Sequence, residues 1–152
     1  MNYRLYAADD FAELYAIEEA CFEPPLRFGR RLMQRLVASA NSATWIAEQD
    51  GRMAGFAIVE WSKTPFGVLA YIATIEVAPG MRKSGAGTEL LRRVEDSARS
   101  AGASSLWLHV DAQNGPAMRL YEKNGFEQRG REENYYAPGL AALMYEKALG
   151  LN

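Results

Sequence analysis

The stretch Val77-Ala-Pro-Gly-Met-Arg82-Lys-Ser-Gly85-Ala-Gly87-Thr88 decides the fold, because it reads as a short, glycine-rich passage from a strand into a helix. Residues 69–77 are rich in Ile, Val and Thr and are closed by Pro79-Gly80, as a strand ending in a turn would be. Downstream, Leu90, Leu91, Val94 and Ala98 recur at helical spacing from a start near Gly87, and Gly102 stands where that helix can end. Such a turn aims backbone N–H groups and the positive end of the helix dipole at one point, to which Arg82 and Lys83 add charge. A pyrophosphate suits that point, and a nucleotide-like molecule is its natural carrier.

Two common phosphate loops fail against these letters. Gly80 and Gly85 have the outer spacing of a P-loop, but Ala86-Gly87 stands where that motif needs Lys followed by Ser or Thr. No third Gly or Ala extends Gly85-x-Gly87 into a dinucleotide fingerprint.

Outward from the loop, the pattern is mixed α/β. A strand at residues 3–7 precedes a helix that Asp9 or Asp10 can cap, with Phe11, Leu14, Ile17 and Cys21 on one face. The helix stops near Pro24-Pro25, a second helix covers about residues 30–40, and a strand follows at 44–48. Asp50-Gly51 is a two-residue hairpin turn into a strand at 53–61. Beyond the central helix, Leu106, Leu108 and Val110 alternate with Trp107 and His109, so the two sets face opposite sides of a strand. Pro116 opens a short helix with Met118, Leu120 and Tyr121, which Asn124-Gly125 ends, and strands near 126–136 and 141–147 complete the order.

Composition narrows the class. The 152 residues fit one domain, 1–152, that buries a core without disulfides or a structural metal, and 49% hydrophobic with 24% charged residues is ordinary for a compact body. A net charge of -2 argues against nucleic acid. Arg27, Arg30, Arg31 and Arg35 form a local basic cluster, which reads as a solvated helix face or as a patch favouring acidic residues in a substrate. Cys21 has no partner for a disulfide, and His109 is the only histidine, so no metal is expected. No signal-type apolar stretch and no apolar run of membrane-spanning length is visible, which fits a cytoplasmic protein that is a monomer or weak dimer and has no membrane partner.

R-x-x-G-x-G after a V-x-P strand end resembles the acetyl-CoA loop of the GCN5-related N-acetyltransferase superfamily, and the second run, Asn114 to Phe126 as N-x-x-A-x-x-x-Y-x-x-x-G-F, resembles that family's other signature. The resemblance covers nearly the whole chain. It implies a mixed, mostly antiparallel central sheet of about seven strands with about four helices, and acetyl-CoA as cosubstrate. It implies contacts to acetyl-CoA from Val77, Arg82, Lys83, Ser84, Gly85, Ala86, Gly87, Thr88, Asn114 and Tyr121, with Tyr121 facing the thiol. Taken singly, the same residues are a tight turn, a helix cap at Asn114 and a core aromatic at Tyr121.

Three further pieces resemble the protein N-terminal acetyltransferases, including the bacterial ribosomal-protein type: Leu106-Trp-Leu-His-Val110, Asn134-Tyr135-Tyr136 and Phe22-Glu-Pro-Pro-Leu-Arg-Phe28. In such relatives the last two enclose the substrate's first residues, which makes Pro25, Leu26, Phe28, Tyr135 and Tyr136 substrate-binding candidates and a protein or peptide N-terminus, with a ribosomal protein among the candidates, the partner. The ribosomal-protein type carries Glu where this chain has His109, while a eukaryotic branch has His there and a Tyr corresponding to Tyr71. The resemblance thus implies a base made of Tyr71 and His109, with Glu76 as the alternative and Tyr121 as the acid. Acetylation of a small-molecule amine or a lysine side chain, and a non-catalytic acetyl-CoA sensor, are the competing readings.

Overall fold

A computed structural model describes residues 1–150. Its centre is a seven-stranded sheet in the order β1-β2-β3-β4-β5-β7-β6. The strands are β1 (Asn2–Leu5), β2 (Ser42–Gln49), β3 (Arg52–Thr64), β4 (Gly67–Val77), β5 (Ala103–Asp111), β6 (Glu127–Ala137) and β7 (Leu140–Ala148). The helices are α1 (Phe11–Cys21), α2 (Arg30–Ala38), α3 (Ala86–Ser100) and α4 (Gly115–Lys123). Every neighbouring pair is antiparallel except β4 and β5, which α3 joins as a crossover. The expected fold class is therefore the observed one.

Local chemistry places the joints. Asp50 and Gly51 both adopt left-handed backbone, at φ 53° and 75°, as a two-residue hairpin of primed type requires. Asp10 does not cap α1 with its side chain as expected. Its carboxylate instead takes both ends of the Arg4 guanidinium at 2.8 Å and the Ala7 N–H at 2.7 Å, which ties β1 to the helix start.

Two cores flank the sheet. Leu90, Leu91, Val94 and Ala98 of α3 pack on Ala57, Val59, Ala70, Ile72, Leu106 and Leu108. On the other face Leu14, Ile17 and Met33 from α1 and α2 cover Ile46, Phe56 and Ile58. Each fully buried Leu or Ile contributes about 1.5–3 kcal/mol.

One irregularity positions everything that follows. Ile58 faces Thr74 while Val59 faces Ile72, so Ala73 is an extra residue in β4. A bulge of this kind bends its strand. Pairing of β4 with β5 stops at Ile72 and Leu108, although β4 remains on β3 to Val77 and β5 remains on β7 to Asp111. A wedge opens between the two strands.

Candidate active site

The wedge exposes backbone donors. The Ala78 N–H bonds the Ala54 carbonyl at 2.8 Å, on the β3 side. Strand alternation then turns the Ile75 and Val77 N–H groups toward the wedge and that of Glu76 back to β3. The backbone donors in the wedge are thus those of Ile75 and Val77.

A cavity of about 570 Å³ runs from Cys21 and Phe22 past Glu76 and Val77 to residues 82–88 at the start of α3. Val77, Arg82, Lys83, Ser84, Gly85, Ala86, Gly87, Thr88 and Asn114 all line it. Gly85 occupies the N-cap position at φ 86° and brings no capping side chain, which leaves the first-turn amides of Gly87 and Thr88 for an outside acceptor. A Cβ on Gly87 would just touch the Leu120 side chain at 3.4 Å, so any larger side chain there must displace Leu120 or stand over the groove floor. Arg82 folds along the wall, its Nε donating to the Val77 carbonyl at 3.3 Å and its Nη2 to Cys21 Sγ at 3.6 Å.

A second cavity, about 90 Å³, is lined by Glu18, Phe22, Leu26 and Phe28 on one side and by Thr74, Ile75, His109, Asn114, Tyr121 and Tyr136 on the other. Phe22, Ile75, Asn114 and Ala117 belong to both cavities, so the two meet in the wedge. Asn114 also caps α4, its Oδ1 accepting the Ala117 N–H at 3.2 Å, which fixes its side chain and leaves its amide nitrogen for a ligand. Tyr121 is buried, packed edge-on against Phe126, and burial raises its pKa well above that of a free phenol. Pro25 does not reach this cavity. Tyr135 borders it indirectly, stacked on the His109 ring at a centroid distance of 4.4 Å and set edge-on to Tyr136 at 4.9 Å.

Tyr71 and His109 stand together as expected, the phenol oxygen 2.6 Å from Nδ1. The far ring nitrogen, Nε2, lies 3.2 Å from the Glu132 carboxylate, a residue of β6 that sequence reasoning missed. A carboxylate only accepts, so these partners assign the proton to Nε2 and the lone pair to Nδ1, and Tyr71 donates. Burial, with Tyr135, Tyr136 and Glu60 nearby, pushes the Tyr71 pKa far upward, so its proton is available to that bond.

Glu76, the alternative base, is buried although it stands near the end of β4. It is 3% exposed and has as its charged neighbour Glu18, 1% exposed on α1, and one buried oxygen of each, Glu76 Oε1 and Glu18 Oε1, has no hydrogen-bond partner. Burial first, and the Glu18 carboxylate second, raise the Glu76 pKa strongly, against the lowering effect of the Thr74 hydroxyl that donates to it at 2.7 Å. Glu18 in turn accepts the Phe28 N–H at 3.0 Å and so pins the segment between α1 and α2 over the cavity. The available signal for Glu18 was a carboxylate four residues after Leu14, on the apolar stripe of α1.

Half of the basic cluster is engaged elsewhere. Arg27 donates to the Phe22 and Glu19 carbonyls at 2.9 and 3.3 Å, and Arg30 sits over the Phe11 and Tyr15 rings at 5.5 and 4.8 Å. Arg31 and Arg35 line a separate shallow depression on α2. Among the described residues no group of three metal-ligating side chains occurs, and no helix is long and apolar enough to cross a membrane.

Comparison with known proteins gives several relatives. The chain is 42% identical over 98 residues to streptothricin acetyltransferase of Streptomyces lavendulae, covering 64% of this chain and 51% of that one. It is 36% identical over 88 residues to the ribosomal protein bS18-alanine N-acetyltransferase of Escherichia coli, covering 58% and 57%. The match thus spans little more than half the length of either relative. Among solved structures, NAA60 of Arabidopsis thaliana in complex with a bisubstrate analogue superposes with a TM-score of 0.85 at 22% identity, over 99% of both chains, and shares the fold. Residues 11–126 match the Acetyltransferase (GNAT) family, and with the wedge, the uncapped α3 terminus and the paired cavities in place, the chain belongs to that family.

Proposed function

We propose that the chain transfers an acetyl group from acetyl-CoA to the N-terminal α-amino group of a protein or peptide in the cytoplasm, with a ribosomal protein among the candidate substrates. The observation that carries this reading is the meeting of two cavities in the β4–β5 wedge, one ending at the open terminus of α3 and the other beside Tyr71 and His109. The donor set fits a pyrophosphate and a pantetheine arm: the Gly87 and Thr88 amides with Arg82 and Lys83 for the first, Asn114 and the Val77 edge for the second. Acetyl-CoA, when bound, supplies an activated acyl carbon; binding, proton movement and orientation fall to the residues of the chain.

An α-amino group with a pKa near 8 is about 10% neutral at pH 7, so only modest basic assistance is needed. Tyr71 accepts a proton at its phenol oxygen, directly or through one water, while passing its own to His109 Nδ1. Glu132 balances the resulting imidazolium through Nε2. The Ile75 and Val77 N–H groups offer hydrogen bonds to oxygen as it gains negative charge. Tyr121 holds its proton until a thiolate needs it. Leu26, Phe28, Tyr135 and Tyr136 supply apolar walls with phenolic tips, and the 90 Å³ of space suits a short, apolar first residue.

The deciding experiment is acetyl transfer onto a peptide library varied at the first two positions, read by mass, beside a panel of free amines. Peptides that gain about 42 Da, one acetyl group, at the α-amine support the reading. CoA release with small amines and with none of the peptides would overturn it in favour of the second reading, a small-molecule substrate, which the 42% identity to streptothricin acetyltransferase favours. Transfer in a single turnover excludes a purely sensory role.

The loop makes its own prediction. Gly87→Val places two methyl groups against Leu120 and over the groove floor, and the acetyl-CoA dissociation constant rises by roughly tenfold or more. Isothermal titration checks it, with a melting curve to confirm folding; unchanged affinity in the folded variant would place the pyrophosphate elsewhere.

A further inference from the structure

The face of the sheet that carries Tyr71 continues beyond α1 and α2 as an uncovered platform. Cα pairing sets Glu60 opposite Tyr71, Tyr71 beside Trp107, and Trp107 opposite Glu146, so the four form one lateral row on that face. A cavity of about 520 Å³ opens over the first three, bordered by Ser62 and Leu69 and by Asn41 from the turn after α2. Tyr71 is the shared wall: its hydroxyl reaches His109, and its residue lines this cavity. The platform therefore begins at the reacting centre.

Its electrostatics are one-sided. Glu60 is the only charged residue in the lining. Two nearby carboxylates have cations, Glu95 with Lys147 at 3.1 Å and Glu146 at the end of the row with Arg129 at 3.1 Å, whereas Glu60 forms no ion pair with a described residue. Partial burial raises its pKa, the sign of a carboxylate short of compensation. An acidic occupant would be repelled, and an apolar one would dehydrate Glu60 further without a partner. A cation resolves both, and the indole of Trp107 offers it a second favourable contact. In an antiparallel pair the Cβ atoms of Glu60 and Tyr71 are about 5 Å apart, a distance that the second or third residue of an extended peptide spans when its amine is at Tyr71.

Resting on the N-terminal acetylation reading, we propose that this cavity is a specificity subsite for a lysine or arginine side chain at the second or third position of the substrate peptide, with Glu60 as counter-ion and Trp107 as its wall. The expectation from Arg27, Arg30 and Arg31 had the opposite sign; Arg27 and Arg30 are committed to the α1–α2 segment, and Arg31 lines a separate depression on α2.

The test uses peptides alike except for Lys, norleucine or Glu at positions two and three, with kcat/KM measured for the parent, Glu60→Gln and Glu60→Lys. In the parent, Lys is preferred to norleucine by roughly tenfold at its reading position, and to Glu by more. Glu60→Gln brings the Lys-to-norleucine ratio toward one. Glu60→Lys inverts the order in favour of Glu, which also shows that the variant is folded and active. Parent rates indifferent to charge, or a Lys preference that survives in Glu60→Gln, refute the subsite while leaving N-terminal acetylation standing. If no peptide reacts and spermidine does, both fall.

Discussion

His109→Ala lowers acetyl-transfer turnover by roughly ten- to a thousandfold, while acetyl-CoA affinity and melting temperature stay close to the parent values. The size follows from the geometry. His109 receives Tyr71 at 2.6 Å on Nδ1 and gives Nε2–H to Glu132 at 3.2 Å, so both ring nitrogens are committed to a relay that begins at the Tyr71 oxygen. Alanine removes the acceptor at the end of that relay, and the buried phenol, its pKa pushed far upward, is a poor base alone. Tyr71→Phe costs less, because it frees Nδ1 to act through a water. The double variant is no slower than His109→Ala, as expected of residues acting as one unit. Glu132→Gln keeps an acceptor oxygen and loses the charge that supports an imidazolium, so it falls between the parent and His109→Ala. The alternative is that His109 is a packing residue held between Tyr71 and the stacked Tyr135 ring. Normal turnover in His109→Ala, or a loss of activity that merely tracks a loss of melting temperature, would establish it.

The frame of this site was legible because its signals are local. A glycine-rich strand end, a helix stripe and an alternating strand each declare themselves within ten or so residues and locate the loop at 82–88 and the strand of His109, whereas the pairing of Tyr71 with His109 and the place of Asn114 were expectations from the family resemblance. What escaped is set by pairing between distant strands. Glu132 comes to His109 because β6 lies on β7, which lies on β5, and nothing near Glu132 in the chain announces that register. Glu60 meets Tyr71 by the hairpin of β3 and β4, and its lack of a cation is a property of the assembled face. Arg27 looked free because charged helix ends usually are; its capture by the Phe22 and Glu19 carbonyls depends on how the chain turns after α1. The Ala73 bulge has no local marker either, yet it opens the wedge on which the whole site depends.

Glu76→Gln stabilises the protein at neutral pH and does so progressively less as the pH falls. In the unfolded chain Glu76 ionises near pH 4.3. In the fold, burial and the adjacent Glu18 carboxyl raise its pKa, and its carboxyl keeps a proton that the unfolded chain releases. Above about pH 4.5 the unfolded state therefore binds fewer protons than the folded one, and this group lowers stability by about 1.4 kcal/mol for each further pH unit until it ionises in the fold. Glutamine is neutral at every pH. Its carbonyl oxygen accepts the Thr74 hydroxyl as Glu76 does at 2.7 Å, and its amide is a donor for the unpartnered Glu18 Oε1. The difference in unfolding free energy between variant and parent thus grows by about 2–4 kcal/mol between pH 5 and pH 7.5. Urea denaturation at the two pH values reads it directly. A difference that does not change with pH would mean that Glu76 is ionised in the folded protein and available as the base. Turnover supplies the second reading: a folded Glu76→Gln enzyme as slow as His109→Ala would return the proton-accepting role to Glu76. Retained turnover leaves Glu76 as a neutral link that, through Glu18 and the Phe28 N–H, holds the α1–α2 segment over the smaller cavity.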